Sequence, residues 1–184
     1  DSIPSQVKKI VTKTDFSPIQ AASSEGRRSI KDLLAMSREV FKHKVDVFFF
    51  PAVYSYFPIF NRTKIIVTIH DMIADNNPKL VFPNSKLKFF WKLKQNVAAH
   101  QSDLILTVSE SSKEEISKYF KLRPSHFRVI NEAARPIFKV LPKDEKISET
   151  LKKHGLKASD RFLLYVGGIS PHKNLTALTE AFSL

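Results

Sequence analysis

Residues 65–72, Ile65-Ile-Val-Thr-Ile-His-Asp-Met72, contain a short β-branched apolar run that is followed by a histidine and an aspartate. The chain contains five such runs, each rich in β-branched or aromatic residues: Val45–Phe50, Lys64–Ile69, Asp103–Val108, Phe127–Ile130 and Arg161–Val166. Within them apolar residues follow one another without polar alternation, which is typical of strands buried on both faces of a parallel sheet. Val7–Lys13 is a weaker strand candidate.

Helical spacing of apolar residues separates these runs. It predicts helices over Arg27–Phe41, Ser85–His100, Ser109–Phe120, Lys143–His154 and Asn174–Phe182. Ser85 and Ser109 are predicted N-caps, and Gly155 predicts a helix stop. Alternating strands and helices indicate an α/β fold, a Rossmann-like parallel sheet with flanking helices.

The proline-punctuated stretch Ala134–Asp144 predicts a boundary between two domains. We expect one Rossmann-like domain over residues 1–138, followed over residues 139–184 by a linker and the start of a second Rossmann-like domain. About 40 residues of an α/β layer cannot bury a core of their own. We therefore expect the chain to be truncated, with the rest of the second domain missing.

The composition is that of a globular protein, with 42% hydrophobic residues in 184 and no cysteine. The absence of cysteine excludes disulfides and thiolate metal sites, and it favours a reducing, cytoplasmic location. The formal net charge of +12 attracts polyanions such as nucleic acid, anionic lipid or phosphorylated substrates. His43, His100, His126 and His154 are not spaced as metal ligands, so we predict no metal site.

The segment Phe162-Leu-Leu-Tyr-Val-Gly-Gly-Ile-Ser-Pro-His-Lys-Asn-Leu175 combines an apolar run, a glycine turn and a basic loop that opens a helix. Backbone N–H groups and Lys173 at a helix N-terminus favour a phosphate, and Gly167 and Gly168 allow a ligand to approach the backbone. The alternative is an ordinary strand-to-helix turn, because neither a Walker loop nor Gly-x-Gly-x-x-Gly is present.

Two further segments place polar residues after predicted strands, where open α/β sheets bind their ligands. His70 is suited to hydrogen bonding a sugar hydroxyl or to proton transfer, with Asp71 beside it. The alternative is that the pair only fixes the following loop. Ser109 is a better helix cap than a ligand, since no Gly-x-Ser-x-Gly elbow surrounds it.

Four motifs in this order resemble glycosyltransferase family 4 of the GT-B fold. They are Ile69–Asp71, Ala98–Ser112, Arg128–Phe138 and Leu163–Leu175, and the Gly-Gly form of the last is similar to the mannosyltransferase-like branch. The resemblance implies retaining, metal-independent transfer of a sugar from a nucleotide diphosphate sugar to a carbohydrate or lipid-linked acceptor. It also implies that Lys173, Gly167 and Gly168 hold the donor diphosphate, and that His70 reaches the transferred sugar.

Four departures from the family pattern stand out. Gly168 occupies a position where many relatives have arginine, and the hinge reads Asn131-Glu-Ala-Ala134 instead of Asn-Gly-Val-Asp. The distal paired-glutamate motif would follow Leu184, and the amino-terminal glycine-rich loop would precede Asp1. We therefore expect the isolated chain to be inactive.

Lysines alternate with aromatic residues at Lys86, Lys88, Phe89, Phe90, Trp91, Lys92 and Lys94. The pattern resembles a helix that lies on an anionic membrane, here the inner surface. The alternative we favour is a core helix whose stripe of Phe90, Leu93 and Val97 faces inward. Likewise, Tyr54, Tyr56 and Phe57 are suited to stacking on an acceptor, but we favour a place on the core.

Two other classes of function remain open from the sequence. A basic nucleic-acid-binding α/β domain fits the charge but lacks a recognition motif, so we expect no specific nucleic acid partner. A non-catalytic subunit completed by another chain fits the incomplete second domain, since exposed apolar faces and strand edges favour an oligomer or a complementing chain.

Overall fold

The computed structural model describes residues 4–15, 29–140, 145–157 and 159–183. The chain forms two compact units, Asp1–Asn131 and Glu132–Leu184, called unit 1 and unit 2. The predicted helix start at Arg27 and linker residues 141–144 lie outside the described residues. The domain boundary that we expect after residue 138 stays a prediction.

Unit 1 alternates strands and helices around one parallel sheet. The strands are β1 (Val47–Phe50), β2 (Lys64–Thr68), β3 (Leu104–Thr107) and β4 (Phe127–Val129), in the order β1-β2-β3-β4. The helices are α1 (Ile30–His43), α2 (Ile73–Asn76), α3 (Pro78–Val81), α4 (Ser85–Gln101) and α5 (Glu110–Phe120), with 3₁₀ turns at Val53–Ser55 and Pro124–His126. The predicted Rossmann-like α/β fold is confirmed, although the weaker candidate Val7–Lys13 is not a strand.

One row of side chains crosses the whole sheet and forms the centre of the core. Phe50, Val67, Ile105 and Phe127 are partners in the register of adjacent strands, and each is at most 1% exposed. Burying an aliphatic or aromatic side chain of this size contributes roughly 1.5–3 kcal/mol. This row therefore holds the four strands together.

Asp103 fixes the register of β2 against β3 at the amino edge of the sheet. Its carboxylate accepts hydrogen bonds from the Lys64 ammonium at 2.7 Å and from the Ile65 backbone N–H at 2.8 Å. Its own N–H donates to the Ile65 carbonyl at 2.8 Å. The hydrogen bond from Lys64, followed by that from Ile65, lowers the pKa of Asp103.

The opposite face of the sheet is only partly covered, so the expectation of strands buried on both faces is wrong. Val47 and Phe49 are 53% and 49% exposed, and Ile66, Leu104 and Leu106 are half-buried. The reason is topological. Right-handed crossovers between strands that follow one another in order place their helices on the same face.

Helices α1, α4 and α5 begin at capping side chains, and one of the two predicted caps needs correction. Ser29 caps α1 by accepting from Asp32 N at 3.0 Å, and Ser109 caps α5. The cap of α4 is Asn84, whose side chain accepts from Leu87 N at 3.0 Å, and not the predicted Ser85. Both residue types cap well, so composition alone does not decide between adjacent candidates.

Helix α4 turns a different face to the core from the one we predicted. Trp91, Gln95 and Ala98 are buried, whereas Phe90, Leu93 and Val97 are 53%, 50% and 37% exposed. The favoured alternative of an inward stripe is therefore wrong. The helix has two apolar faces, and periodicity does not select between them. The inner face offers an acceptor for the Trp91 Nε1–H group, the buried carboxylate of Asp75.

The aromatic residues after β1 pack on the core. Tyr56 and Phe57 are 2% and 7% exposed, and both rings lie 5.1 Å from that of Phe50. The Tyr56 hydroxyl donates to the Gln101 side chain at 2.7 Å. The favoured core placement is confirmed for these two residues.

Unit 2 contains α6 (Glu145–Lys153), a 3₁₀ turn at Pro171–Lys173 and α7 (Leu175–Phe182). Gly155 follows α6 with φ +73°, and the Leu156 N–H donates to the Leu151 carbonyl at 2.9 Å, so the predicted stop is confirmed. The predicted strand Arg161–Val166 is wrong, because no strand occurs in the described part of unit 2. Leu163, Leu164 and Val166 are 64%, 78% and 85% exposed, and a strand needs a neighbour for its backbone hydrogen bonds.

The central row makes a prediction about stability. Ile105→Ala should lower the free energy of unfolding of unit 1 by about 2–5 kcal/mol, because the change opens a cavity at the centre of the sheet. The matched change Ile30→Ala, at a residue that is 76% exposed, should cost less than about 0.5 kcal/mol. Urea unfolding followed by circular dichroism measures both, and equal effects would contradict the central position of Ile105.

Candidate functional site

The parallel strands of unit 1 all end at one edge of the sheet, and the predicted polar residues lie there. Ile69 N donates to the Leu106 carbonyl at 2.9 Å, so pairing between β2 and β3 continues up to the residue before His70. His70 is half-buried and Asp71 is exposed, while Ser109 follows the neighbouring strand β3. The structure thus brings these three residues to the same edge.

Asp71 shapes the loop that follows β2. Its Oδ1 atom accepts a hydrogen bond from Ile73 N at 3.0 Å, an Asx turn that leads into α2. The loop-fixing alternative is therefore present in the structure. The carboxylate is exposed and retains capacity to accept further hydrogen bonds from a ligand.

Ser109 is the N-cap of α5. Its Oγ accepts from Ser112 N and donates to Ser112 Oγ, both at 3.0 Å. These bonds occupy the hydroxyl proton, so the structure supports the cap over the ligand role.

A buried aspartate that the sequence analysis did not single out anchors the region behind His70. Asp75 in α2 is 8% exposed and accepts from Trp91 Nε1 at 3.0 Å and from the Tyr119 hydroxyl at 3.2 Å. These bonds join α2 to α4 and α5, so they position the loop that carries His70 and Asp71. The only signal in the sequence is the i, i+4 spacing of Asp71 and Asp75, which is common in unrelated proteins.

Tyr54, from the connection between β1 and β2, joins the same edge. Its ring lies 5.0 Å from that of Trp91, and its carbonyl accepts from Lys94 Nζ at 2.6 Å. Burial raises the pKa of Tyr54, and the negative charges of Asp71 and Asp75 raise it further. A neutral phenol, an imidazole and a carboxylate at one edge suit the recognition of a polyhydroxylated ligand.

The residues predicted to hold a diphosphate lie together in one loop of unit 2. Gly167 has φ +157°, and a Cβ at this position would lie 2.7 Å from the Tyr165 hydroxyl. That hydroxyl donates to the Gly168 carbonyl at 2.9 Å. Lys173 is exposed in the 3₁₀ turn that leads, through Asn174 at φ +49°, into α7. The predicted glycine turn and basic loop before a helix are present, without the strand.

A cavity of about 330 Å³ lies away from these residues, beside α1. Its walls include Ile10, Thr12, Asp32, Met36, Phe48 and Phe57. Asp32 is 2% exposed and accepts from Asp15 N at 2.8 Å. None of the predicted site residues lines this cavity, so we place the candidate site at the sheet edge, where side chains with suitable chemistry converge.

The described ranges contain no group of three or more histidine, aspartate or glutamate side chains arranged to hold a metal ion. They also contain no helix that is both long enough and apolar enough to cross a membrane.

Asp75 makes a prediction about pH. Burial raises the pKa of Asp75, partly offset by the hydrogen bonds from Trp91 and Tyr119. The stability that it contributes is fully present below the ordinary aspartate pKa of about 3.9 and is lost as the pH rises through the raised value. The free energy of unfolding of the wild type, relative to Asp75→Asn, should therefore fall with rising pH above about 4.

Urea unfolding at a series of pH values measures this difference. Glu114→Gln, at an exposed residue of α5, removes the same charge and should show no comparable fall. A wild-type advantage over Asp75→Asn that grows with pH would contradict the raised pKa.

Comparison with known proteins gives information on the function of the carboxyl edge of the sheet. A sequence model of Glycosyltransferase Family 4 matches residues 10–133, which is most of unit 1 and ends before the Gly167–Lys173 loop. Two sequences of the serotype-specific mannosyltransferase WbdA of Escherichia coli are each 26% identical over 122 residues. These residues make up 66% of this chain but only 15% and 14% of the two relatives.

The family match covers the sheet, the loop after β2 with His70 and Asp71, and the cap of α5. It extends over more than half of the chain and agrees with the parallel α/β architecture. The chain belongs to glycosyltransferase family 4.

Proposed function

We propose that the chain is part of a glycosyltransferase that moves mannose from a nucleotide diphosphate mannose to an acceptor hydroxyl, with retention of the anomeric configuration. The observation that carries the proposal is the family match over residues 10–133. The mannosyltransferase relatives support the choice of sugar. The proposed acceptor is a carbohydrate or a lipid-linked sugar, and the proposed location is the cytoplasm.

His70 is proposed to touch the transferred sugar. Its half-buried position at the carboxyl edge supports this role, because open α/β sheets bind ligands at that edge. An imidazole there can donate to or accept from a sugar hydroxyl near the reacting carbon. Asp71 is proposed to accept from a hydroxyl of the same sugar while its Oδ1 atom orients the loop through Ile73.

The loop of unit 2 is proposed to hold the donor diphosphate. Lys173 supplies a positive charge, and the backbone of Gly167 and Gly168 admits the phosphates close to the chain. The leaving nucleoside diphosphate needs its growing negative charge balanced, and fixed cations achieve this without a metal ion. With glycine at position 168, where relatives often have arginine, Lys173 is the principal cation that we assign to this loop.

The family match favours this proposal over the two alternatives that the sequence left open. A net charge of +12 attracts phosphates of any origin, so it suits a diphosphate donor as well as nucleic acid. A transferase could also have its second domain completed by another chain, so we keep an oligomer or a complementing chain as a proposed partner.

The first functional prediction concerns His70. In the transferase that contains this chain, His70→Ala should lower kcat by about 10²–10⁴-fold with little change in the KM for the donor, because the imidazole acts at the reacting sugar. The matched change His154→Ala, at an exposed residue of unit 2, should leave kcat unchanged. The assay follows mannose transfer, and proton NMR of the product reports its anomeric configuration. An inverted product, or full activity without His70, would refute the proposed mechanism.

The second functional prediction concerns Lys173. Lys173→Ala should weaken binding of the free nucleoside diphosphate by about tenfold to a hundredfold, because one charged hydrogen bond is lost. Lys173→Arg should restore part of the binding, and the exposed control Lys152→Ala should have no effect. Isothermal titration calorimetry measures the affinities. Unchanged affinity after Lys173→Ala would remove this residue from the donor site.

A further inference from the structure

Helix α4 carries an apolar stripe on the side that faces away from the core. Phe89, Phe90, Leu93 and Val97 are 63%, 53%, 50% and 37% exposed, respectively. Their spacing places them side by side along roughly two turns of the helix. We call these four residues the outer stripe of α4.

The inner face of the same helix is already packed against the core. Trp91, Gln95 and Ala98 are 6%, 1% and 0% exposed, and Trp91 Nε1 donates to Asp75 at 3.0 Å. Rotating α4 to bury the outer stripe would expose these residues and break that bond. The outer stripe is therefore a stable surface feature, and contiguous exposed apolar surface of this kind marks an interaction site.

The surroundings of the outer stripe are basic. Residues 85–101 contain four lysines and no aspartate or glutamate. Lys86 and Lys92 are exposed, and Lys88 is half-buried; Lys92 Nζ lies 5.9 Å from the centre of the Tyr119 ring. Aromatic and aliphatic side chains flanked by lysines match the boundary between acyl chains and anionic headgroups.

We propose that the outer stripe of α4 docks unit 1 on an anionic lipid bilayer, with α4 lying in the plane of the surface. The phenylalanines and Leu93 enter the acyl boundary, and the exposed Lys86 and Lys92 lie among the lipid phosphates. A second copy of the chain is a poorer occupant, because pairing two outer stripes brings lysines of like charge together. The inference goes beyond sugar transfer and does not depend on it.

Vesicle binding by the chain tests the proposal. Co-sedimentation should show binding to phosphatidylcholine vesicles that contain phosphatidylglycerol, and much weaker binding to phosphatidylcholine alone. Binding should also weaken as salt is added, since screening shortens the reach of the lysines.

Single serine substitutions test whether vesicle binding depends on the outer stripe or on any exposed apolar residue. Phe90→Ser should weaken vesicle binding by about tenfold, because it removes one inserted aromatic ring. Phe60→Ser, at a residue that is 71% exposed outside α4, should leave binding unchanged. Both residues are exposed, so circular dichroism should show an intact fold for both variants.

Charge reversals test whether vesicle binding depends on the lysines of α4 or only on the net charge of the chain. Lys86→Glu combined with Lys92→Glu should reduce binding on the order of tenfold or more, since each lysine near an anionic surface contributes. Lys8→Glu combined with Lys9→Glu changes the net charge equally at exposed residues elsewhere and should retain most of the binding.

Three outcomes would overturn the proposal. One is equal binding to vesicles with and without phosphatidylglycerol, or binding that does not depend on Phe90. Another is a dimer, detected by sedimentation without lipid, that Phe90→Ser dissociates, which would make the outer stripe a protein interface. The third is vesicle binding by this chain that the proposed transferase does not show, which would mean that another part of that protein covers the stripe.

Discussion

The structure of unit 1 depends on the dry row of Phe50, Val67, Ile105 and Phe127 that crosses its sheet. Each strand contributes one side chain to this row, so burying them together selects the order and the register of all four strands. Asp103 reinforces the same register by binding the backbone of Ile65 at the amino edge. With the register set, the carboxyl ends of the strands meet at one edge.

That edge is linked to the helical layer through one buried carboxylate. Asp75 joins α2 to Trp91 of α4 and Tyr119 of α5, and these bonds hold both the loop with His70 and the rotation of α4. The orientation of α4 turns Phe89, Phe90 and Leu93 toward solvent. One buried carboxylate therefore influences both the candidate site and the proposed membrane surface.

Much of this was predictable from patterns along the chain. The four strands of unit 1, helices α1, α4 and α5, the cap at Ser109 and the edge position of His70 follow from apolar runs and capping residues. Family motifs led to glycosyltransferase family 4, which the match over residues 10–133 shows. The Asp75 contacts with Trp91 and Tyr119 were not predictable, because the partners lie 16 and 44 residues away in sequence.

The sequence by itself determined the four strands and the three long helices of unit 1, since apolar runs and caps act over a few residues. Only the tertiary structure decided which face of α4 is buried, which face of the sheet is covered, and that Arg161–Val166 is not a strand. These outcomes depend on partners: Trp91 needs an acceptor, a sheet face needs helices on its side, and a strand needs a neighbour. Such partners are distant in sequence, and the hydrophobic periodicity of a segment does not predict them.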